Sequence, residues 1–310
     1  MELLEDIGLI ANSGDVRELQ KLNRLRKGMF LGYEGKVEKV KEYDVIDGMD
    51  LEDQREMERE LCRTDLKYLC MEIFGHKDWD VCHDELYKWM RENEGKDLLI
   101  LTPRDHLKTT IVTIAWSIQQ MLKDHNISIL LASGIFANSA SFLAQIKEYL
   151  TTKSVLPGLF KRFDTTELMN GLWSTEAIKI RQRTSANKTP TYSVAGADKS
   201  LTSQHYDLII ADDVVNRQTV STREQIRKHH EFYMDLLDLR QRPNGRIVLI
   251  GTRWDDKDVY GTLIKKQEQL KKDGKEAEVA VYIRQAVENG KVIHPKRFSL
   301  ESLEKVKHDP

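Results

Sequence analysis

Apolar residues in the middle of the chain gather into short runs that stop abruptly at small or polar positions. The runs cover 98–101 (Leu-Leu-Ile-Leu), 127–133 (Ile-Ser-Ile-Leu-Leu-Ala-Ser), 206–211 (Tyr-Asp-Leu-Ile-Ile-Ala) and 246–251 (Arg-Ile-Val-Leu-Ile-Gly). Near-continuous runs of this length predict strands buried on both faces, as in a parallel sheet. Between them the apolar spacing turns helical, predicting helices over 109–123, 137–150 (stopped near Pro157-Gly158) and 221–239. Ser221 or Thr222 caps the last of these, with Glu224 in its first turn. An amphipathic helix over 82–92 feeds into the first strand, and shorter strands are expected over 177–180 and 192–195. The alternation predicts an α/β fold, a mainly parallel sheet flanked by helices. Upstream, 1–70 is charged and broken by Gly28, Gly32, Gly35 and Gly48, with helical spacing around 16–26 and 51–68. This predicts a small helical N-terminal subdomain or lid.

Composition narrows the picture. The chain has 310 residues, of which 40% are apolar and 32% charged, enough for a proper core. A formal charge of −2 excludes a wholesale polyanion-binding coat, so any nucleic-acid contact must come from local patches. Cys62, Cys70 and Cys82 have neither zinc-site spacing nor an even count and read as reduced thiols of a cytosolic protein. No apolar run reaches the length of a membrane span, and the acidic start Met-Glu-Leu-Leu-Glu-Asp does not resemble a signal peptide. A soluble, intracellular chain is expected.

Candidate chemistry sits at the ends of three runs. After 98–101 comes Thr-Pro-Arg-Asp-His-Leu-Lys108-Thr109, then a helix. Strand, turn, Lys-Thr and helix is the layout of a phosphate-binding loop, in which backbone N–H groups and a helix N-terminus meet phosphate oxygens. In that layout Lys108 reaches the β- and γ-phosphates and the Thr109 hydroxyl ligates magnesium. Thr102 and Leu107 stand where the usual pattern has glycine. The run at 206–211 ends in Asp212-Asp213, placing two acids at the carboxyl edge where open α/β sheets bind ligands. Asp212 is placed to hold magnesium, and Asp213 to polarise an attacking water. The run at 246–251 ends in Gly251-Thr252-Arg253-Trp254, where a strand-tip hydroxyl can touch the water or γ-phosphate. Residues 179–199 carry Lys179, Arg181, Arg183, Lys188 and Lys199 against one acid, Asp198, a pattern able to track a phosphate backbone.

Taken in order, these stretches resemble the ATPase domain of the large terminase subunit of tailed bacteriophages, the motor that packages DNA into capsids. Pro103-Arg104-Asp105-His106-Leu107-Lys108-Thr109-Thr110 looks like that family's variant loop, which often reads Pro-Arg-Gly-His-Gly-Lys-Ser. The strand ending in Asp212-Asp213 is similar to its Walker B strand, and Gly251-Thr252-Arg253-Trp254 to its coupling motif. The resemblance covers roughly residues 75 to 300. It implies a P-loop NTPase fold of RecA/ASCE type over 71–290, with ATP and Mg2+ as cofactors. It further implies that residues 103–110 cradle the nucleotide and that Arg104 senses the γ-phosphate. By the same resemblance His83 lies near the adenine, Thr109 and Asp212 hold the metal, and Asp213 and Thr252 join Arg104 in catalysis. The partners implied are double-stranded DNA, a portal protein and a small terminase subunit. The assembly implied is a homo-oligomeric ring in the host cytoplasm, docked transiently on a procapsid. His294-Pro295-Lys296-Arg297-Phe298 looks like the connection toward the family's nuclease domain, so 291–310 is expected to be a linker and no nuclease activity is expected.

Three departures stand out. The family keeps a small residue where Leu107 stands, and a bulky one is strained if φ is positive there. Its acid pair often ends in Glu, so Asp213 is one methylene short. The place where some relatives carry an arginine finger, Leu201-Thr202-Ser203-Gln204-His205, has no arginine. Arg181, Arg183, Lys199 and Arg217 are the candidates for a residue inserted in trans. Two other classes compete: a superfamily 2-type helicase or remodeller, and a structural adaptor with a degenerate loop.

Overall fold

The computed structural model describes residues 51–151, 154–166, 168, 171–199, 204–215, 222–253 and 256–308. The helical readings over 16–26 and the glycines of the first fifty residues lie outside them. The chain divides into two compact units, 1–65 and 66–310. In the first, helix α1 (Leu51–Thr64) carries a ladder of Arg–Glu pairs along one side, Arg59 with Glu52 and Glu56, and Arg63 with Glu56 and Glu60.

The second unit holds the sheet. Its elements run α2 (Val81–Glu92), β1 (Asp97–Leu101), α3 (Thr109–Trp116) continuing as α4 (Ser117–Lys123), β2 (Ile129–Ser133) and α5 (Phe136–Leu150). They continue as β3 (Ala177–Ile178), β4 (Tyr192–Gly196), β5 (Leu208–Asp212), α6 (Arg223–Asp238), β6 (Arg246–Gly251), α7 (Val259–Lys272) and β7 (Val279–Ile283). A small hairpin, β8 (Val287–Glu288) with β9 (Lys291–Val292), and helix α8 (Leu300–His308) follow. The seven strands lie in the order β3-β4-β2-β5-β6-β1-β7, parallel except for the antiparallel edge pair β3–β4. This is an α/β arrangement, a mostly parallel sheet flanked by helices. Strands β2 and β5 are buried at every position because helices cover both faces. Among the described residues no helix is long and apolar enough to cross a membrane, and all three cysteines are buried and unbridged.

The structure redraws several sequence expectations. The helix expected over 109–123 is one rod whose first half winds with wide i→i+5 bonding before tightening at Ser117. Pro157-Gly158 does not stop the preceding helix, which ends at Leu150; it sits inside a separate short helix, Leu156–Phe160, where proline occupies a first-turn position that needs no N–H. The strand expected from Tyr206 begins at Leu208, since Tyr206 forms only an isolated bridge to Arg240. Thr222 is the cap of α6, exchanging hydrogen bonds with Gln225 in a capping box. Strand β7 and helix α7 have no counterpart in the sequence reading, yet β7 pairs along the whole of β1. Register is pinned at the amino edge by Asp97, whose carboxylate accepts from Arg240 (2.7 Å) and from the Ile247 N–H (2.8 Å).

Candidate active site

Pairing decides what meets at the carboxyl edge. Leu101 lies opposite Gly251, Ile250 opposite Asp212, and Asp212 opposite Ser133. The chain leaving β1 therefore emerges beside Thr252, and Thr252 beside Asp213. Residues 144 positions apart touch as a result: the Lys108 ammonium donates to the Thr252 hydroxyl at 3.0 Å. The Asp213 N–H donates to the Ile250 carbonyl at 2.9 Å, fixing the turn after β5 against the tip of β6.

The loop itself accounts for Leu107. Its φ is +57°, and Asp105 has φ +61°. These are the two positions at which the terminase pattern carries glycine. The backbone takes the conformation that glycine favours while Asp and Leu side chains stand there, so the loop carries left-handed strain of about 1–3 kcal/mol at each position. His106 helps hold it, since its Nδ1–H donates to the Arg104 carbonyl at 2.7 Å across the turn. The His106 ring is buried and stacks on Phe298, centroids 4.9 Å apart. His106 thus faces the C-terminal segment and serves as a brace. Pro103, Arg104 and Asp105 form the outer rim, Arg104 and Asp105 exposed, and Thr109 and Thr110 are half-buried at the head of α3.

His83 lies behind this loop. Its Nδ1 accepts from the Asp80 N–H (2.9 Å) in the capping box of α2, which leaves the ring proton on Nε2 to meet the His106 carbonyl at 3.2 Å. Burial, with His294 adjacent, holds its pKa down to about 4, so it is neutral. Cys82, His83 and His294 bring potential metal-ligand atoms within 4.8 Å of one another. Both His83 nitrogens are already committed, and burial pushes the Cys82 thiol up to about 11. The cluster is a packing junction between α2, the loop and the segment at 294–298.

Asp212 is fully buried. Burial drives its carboxyl up to about 6 and the Asp213 charge adds to the push, while the Thr113 and Thr109 hydroxyls and Lys108 pull it back. Thr113 donates to Asp212 Oδ2 at 2.6 Å, and Oδ1 has no protein partner. A buried carboxylate oxygen left open beside a Lys-Thr loop, with the Thr109 hydroxyl in reach, is the donor set that fits a hard divalent cation through water. Thr113 was not singled out from sequence. It stands four residues after Thr109, hence on the same helix face, and that spacing is the signal that could have found it. Burial raises the Asp213 carboxyl, opposed by Lys108 and Arg104, and its φ is +47°.

Arg104, Lys108, Thr109, Asp212, Asp213 and Thr252 are thus brought together, whereas His83 and His106 support the loop from behind. The basic stretch is partly structural. Arg183 is 8% exposed, donating to the Ile127 carbonyl (2.7 Å) and the Ser128 hydroxyl (2.9 Å), and Lys199 lies over the Phe136 ring at 3.3 Å. Arg217, Trp254 and Leu201–Ser203 lie outside the described residues.

A mostly parallel, helix-flanked sheet thus carries a Lys-Thr loop, a pair of strand-tip acids and a strand-tip threonine at one edge. No family model matches the chain, and no curated protein matches it. Among solved structures, the large terminase of HK97 bacteriophage is similar with a TM-score of 0.49 and 13% identity, over 75% of this chain and 48% of that one. The chain therefore spans about half the length of that protein.

Proposed function

We propose that this chain is an ATPase motor domain of the terminase large-subunit type, coupling Mg2+-dependent ATP hydrolysis to movement of double-stranded DNA into a procapsid. The observation that carries the ATPase part is the Lys108–Thr252 hydrogen bond at a sheet edge shared with Asp212 and Asp213. DNA, portal and small-subunit partners rest on the motif resemblance. In this reading Lys108 and Arg104 clamp phosphate oxygens, Arg104 with a planar fork suited to them. Asp213 accepts the proton of the attacking water; burial raises its carboxyl and so strengthens it as a base, while the Lys108 and Arg104 charges act in the opposite sense and favour the ionised form. Thr109 and Asp212 would hold magnesium, which when bound neutralises charge on the β- and γ-phosphates. Thr252, touching Lys108, is placed to register loss of the γ-phosphate and pass it along β6 to α7, where Tyr260 donates to the Ile250 carbonyl at 3.2 Å.

The test is Lys108→Ala in the full chain. ATP turnover should fall to background while the melting curve stays within a few degrees of wild type. Turnover equal to wild type would sink the proposal. The adaptor reading has one observation in its favour, the two non-glycine residues at positive φ in the loop. Calorimetry with ATP and magnesium, in the presence of DNA, separates the two. Absence of binding favours the adaptor.

A further inference from the structure

Ser133 is the last residue of β2 and is wholly buried, yet its hydroxyl has no partner within hydrogen-bond reach. Its register partner on β5 is Asp212. Residues paired across parallel strands present their side chains to the same face, so the Ser133 hydroxyl shares the face of the Asp212 carboxylate. There Thr113 occupies Oδ2, and Oδ1 is open. Two unsatisfied polar atoms from paired residues therefore share one buried face. Each buried polar group left unpaired costs about 1–3 kcal/mol, and such groups point to an ordered ion or water.

The tip of β2 is also held in place. The Gly134 N–H donates to the Asp213 carbonyl (3.3 Å), and a Cβ at Gly134 would come within 2.6 Å of the Val214 carbonyl oxygen. Only glycine allows the strand to approach that closely, so Ser133 is fixed relative to the acid pair. The chemistry of the two groups is complementary to one kind of guest. Oδ1 can only accept, while the hydroxyl can donate or accept, so a molecule with two O–H donors and an acceptor lone pair satisfies both. Water polarised by a divalent cation has that character and is bound more firmly than free water.

We propose that Ser133 is a positioning residue for the cation site: together with Asp212 Oδ1 it orients a water ligand of the divalent cation that Thr109 and Asp212 would hold. The proposal rests on the nucleotide-binding reading above and adds to it a residue from a strand that none of the three motifs includes. The experiment uses the full chain with a non-hydrolysable ATP analogue and Mn2+, read by electron paramagnetic resonance. Ser133→Ala should raise the Mn2+ dissociation constant three- to tenfold, leaving cation-free binding of the analogue unchanged. Ser133→Thr, which keeps the hydroxyl, should stay within twofold of wild type and guards against a packing effect of the first substitution. Wild type that holds Mn2+ while Ser133→Ala binds it equally well overturns the assignment of Ser133 alone. Equal loss in the Thr variant also overturns it, because a hydroxyl would then not be what matters. Wild type that holds no Mn2+ in the presence of the analogue overturns the nucleotide reading as well.

Discussion

Replacing Asp212 by Asn should stabilise the protein in the absence of divalent cation while removing the ATPase activity proposed for it. In the folded chain burial, reinforced by Asp213, lifts the Asp212 carboxyl from 3.8 to about 6. Because the folded state holds this proton more tightly than the unfolded state, the Asp212 contribution is fully present below about pH 3.8. It is lost as pH rises through about 6. A shift of roughly two units corresponds to about 3 kcal/mol of destabilisation at neutral pH. Asn carries no charge and escapes that cost, but it weakens the hydroxyl contact made by Thr113, worth about 1 kcal/mol. The net gain expected is about 2 kcal/mol at pH 8, shrinking toward zero or reversing at pH 4. Urea unfolding of both proteins at pH 4, 6 and 8 in a chelator measures it directly. With Mg2+ and a non-hydrolysable analogue the order should reverse, since only the carboxylate gains from the cation. An Asn variant less stable than wild type at pH 8 in chelator, or a difference that ignores pH, would refute the claim that Asp212 is held ionised at a cost.

Substitutions at two further positions probe the loop and the strand tip. At Leu107, φ +57° is strained for any side chain and worst for a β-branched one. Leu107→Gly should change the denaturation midpoint by no more than about 1 kcal/mol, relief of strain offsetting a more flexible unfolded chain, whereas Leu107→Val should cost about 1–3 kcal/mol. A Val variant as stable as wild type would mean that the loop does not keep this conformation. Gly251→Ala would drive a Cβ to within 2.5 Å of the Tyr260 hydroxyl and 2.6 Å of its ring, and Tyr260 is buried. It should cost about 1–3 kcal/mol through overpacking, visible as a lowered melting temperature, with the Thr252 contact to Lys108 weakened as β6 shifts.

Much of the sheet was legible because its strands are covered on both faces. That burial demands unbroken apolar runs, and Leu98–Leu101, Ile129–Ser133, Leu208–Asp212 and Arg246–Gly251 supply them. Strand β7 escaped notice: at the sheet edge it is only half-buried, and Val-Ala-Val-Tyr-Ile is a short run behind the charged stretch Lys275-Glu276-Ala277-Glu278. The wide winding of α3 has no sequence signature that propensity could show. Arg183 read as part of a basic face because a charge in a one-dimensional string gives no sign that two acceptors, Ile127 O and Ser128 Oγ, await it inside.

The sequence by itself determined which residue types stand at the strand ends: an ammonium and hydroxyl at Lys108-Thr109, two carboxylates at Asp212-Asp213 and a hydroxyl at Thr252. It also carried the steric warning at Leu107, whose glycine-like backbone the fold retains. Only the tertiary structure decided that β6 lies between β1 and β5, so that Thr252 reaches Lys108 and the Asp213 N–H reaches the Ile250 carbonyl, and that Thr113 and Ser133 flank Asp212. The reason is that apolar spacing is a local property, set by which faces a segment buries. Strand order and register arise from pairings between segments distant in the chain, as Ile210 with Val248 and Asp97 with Val279.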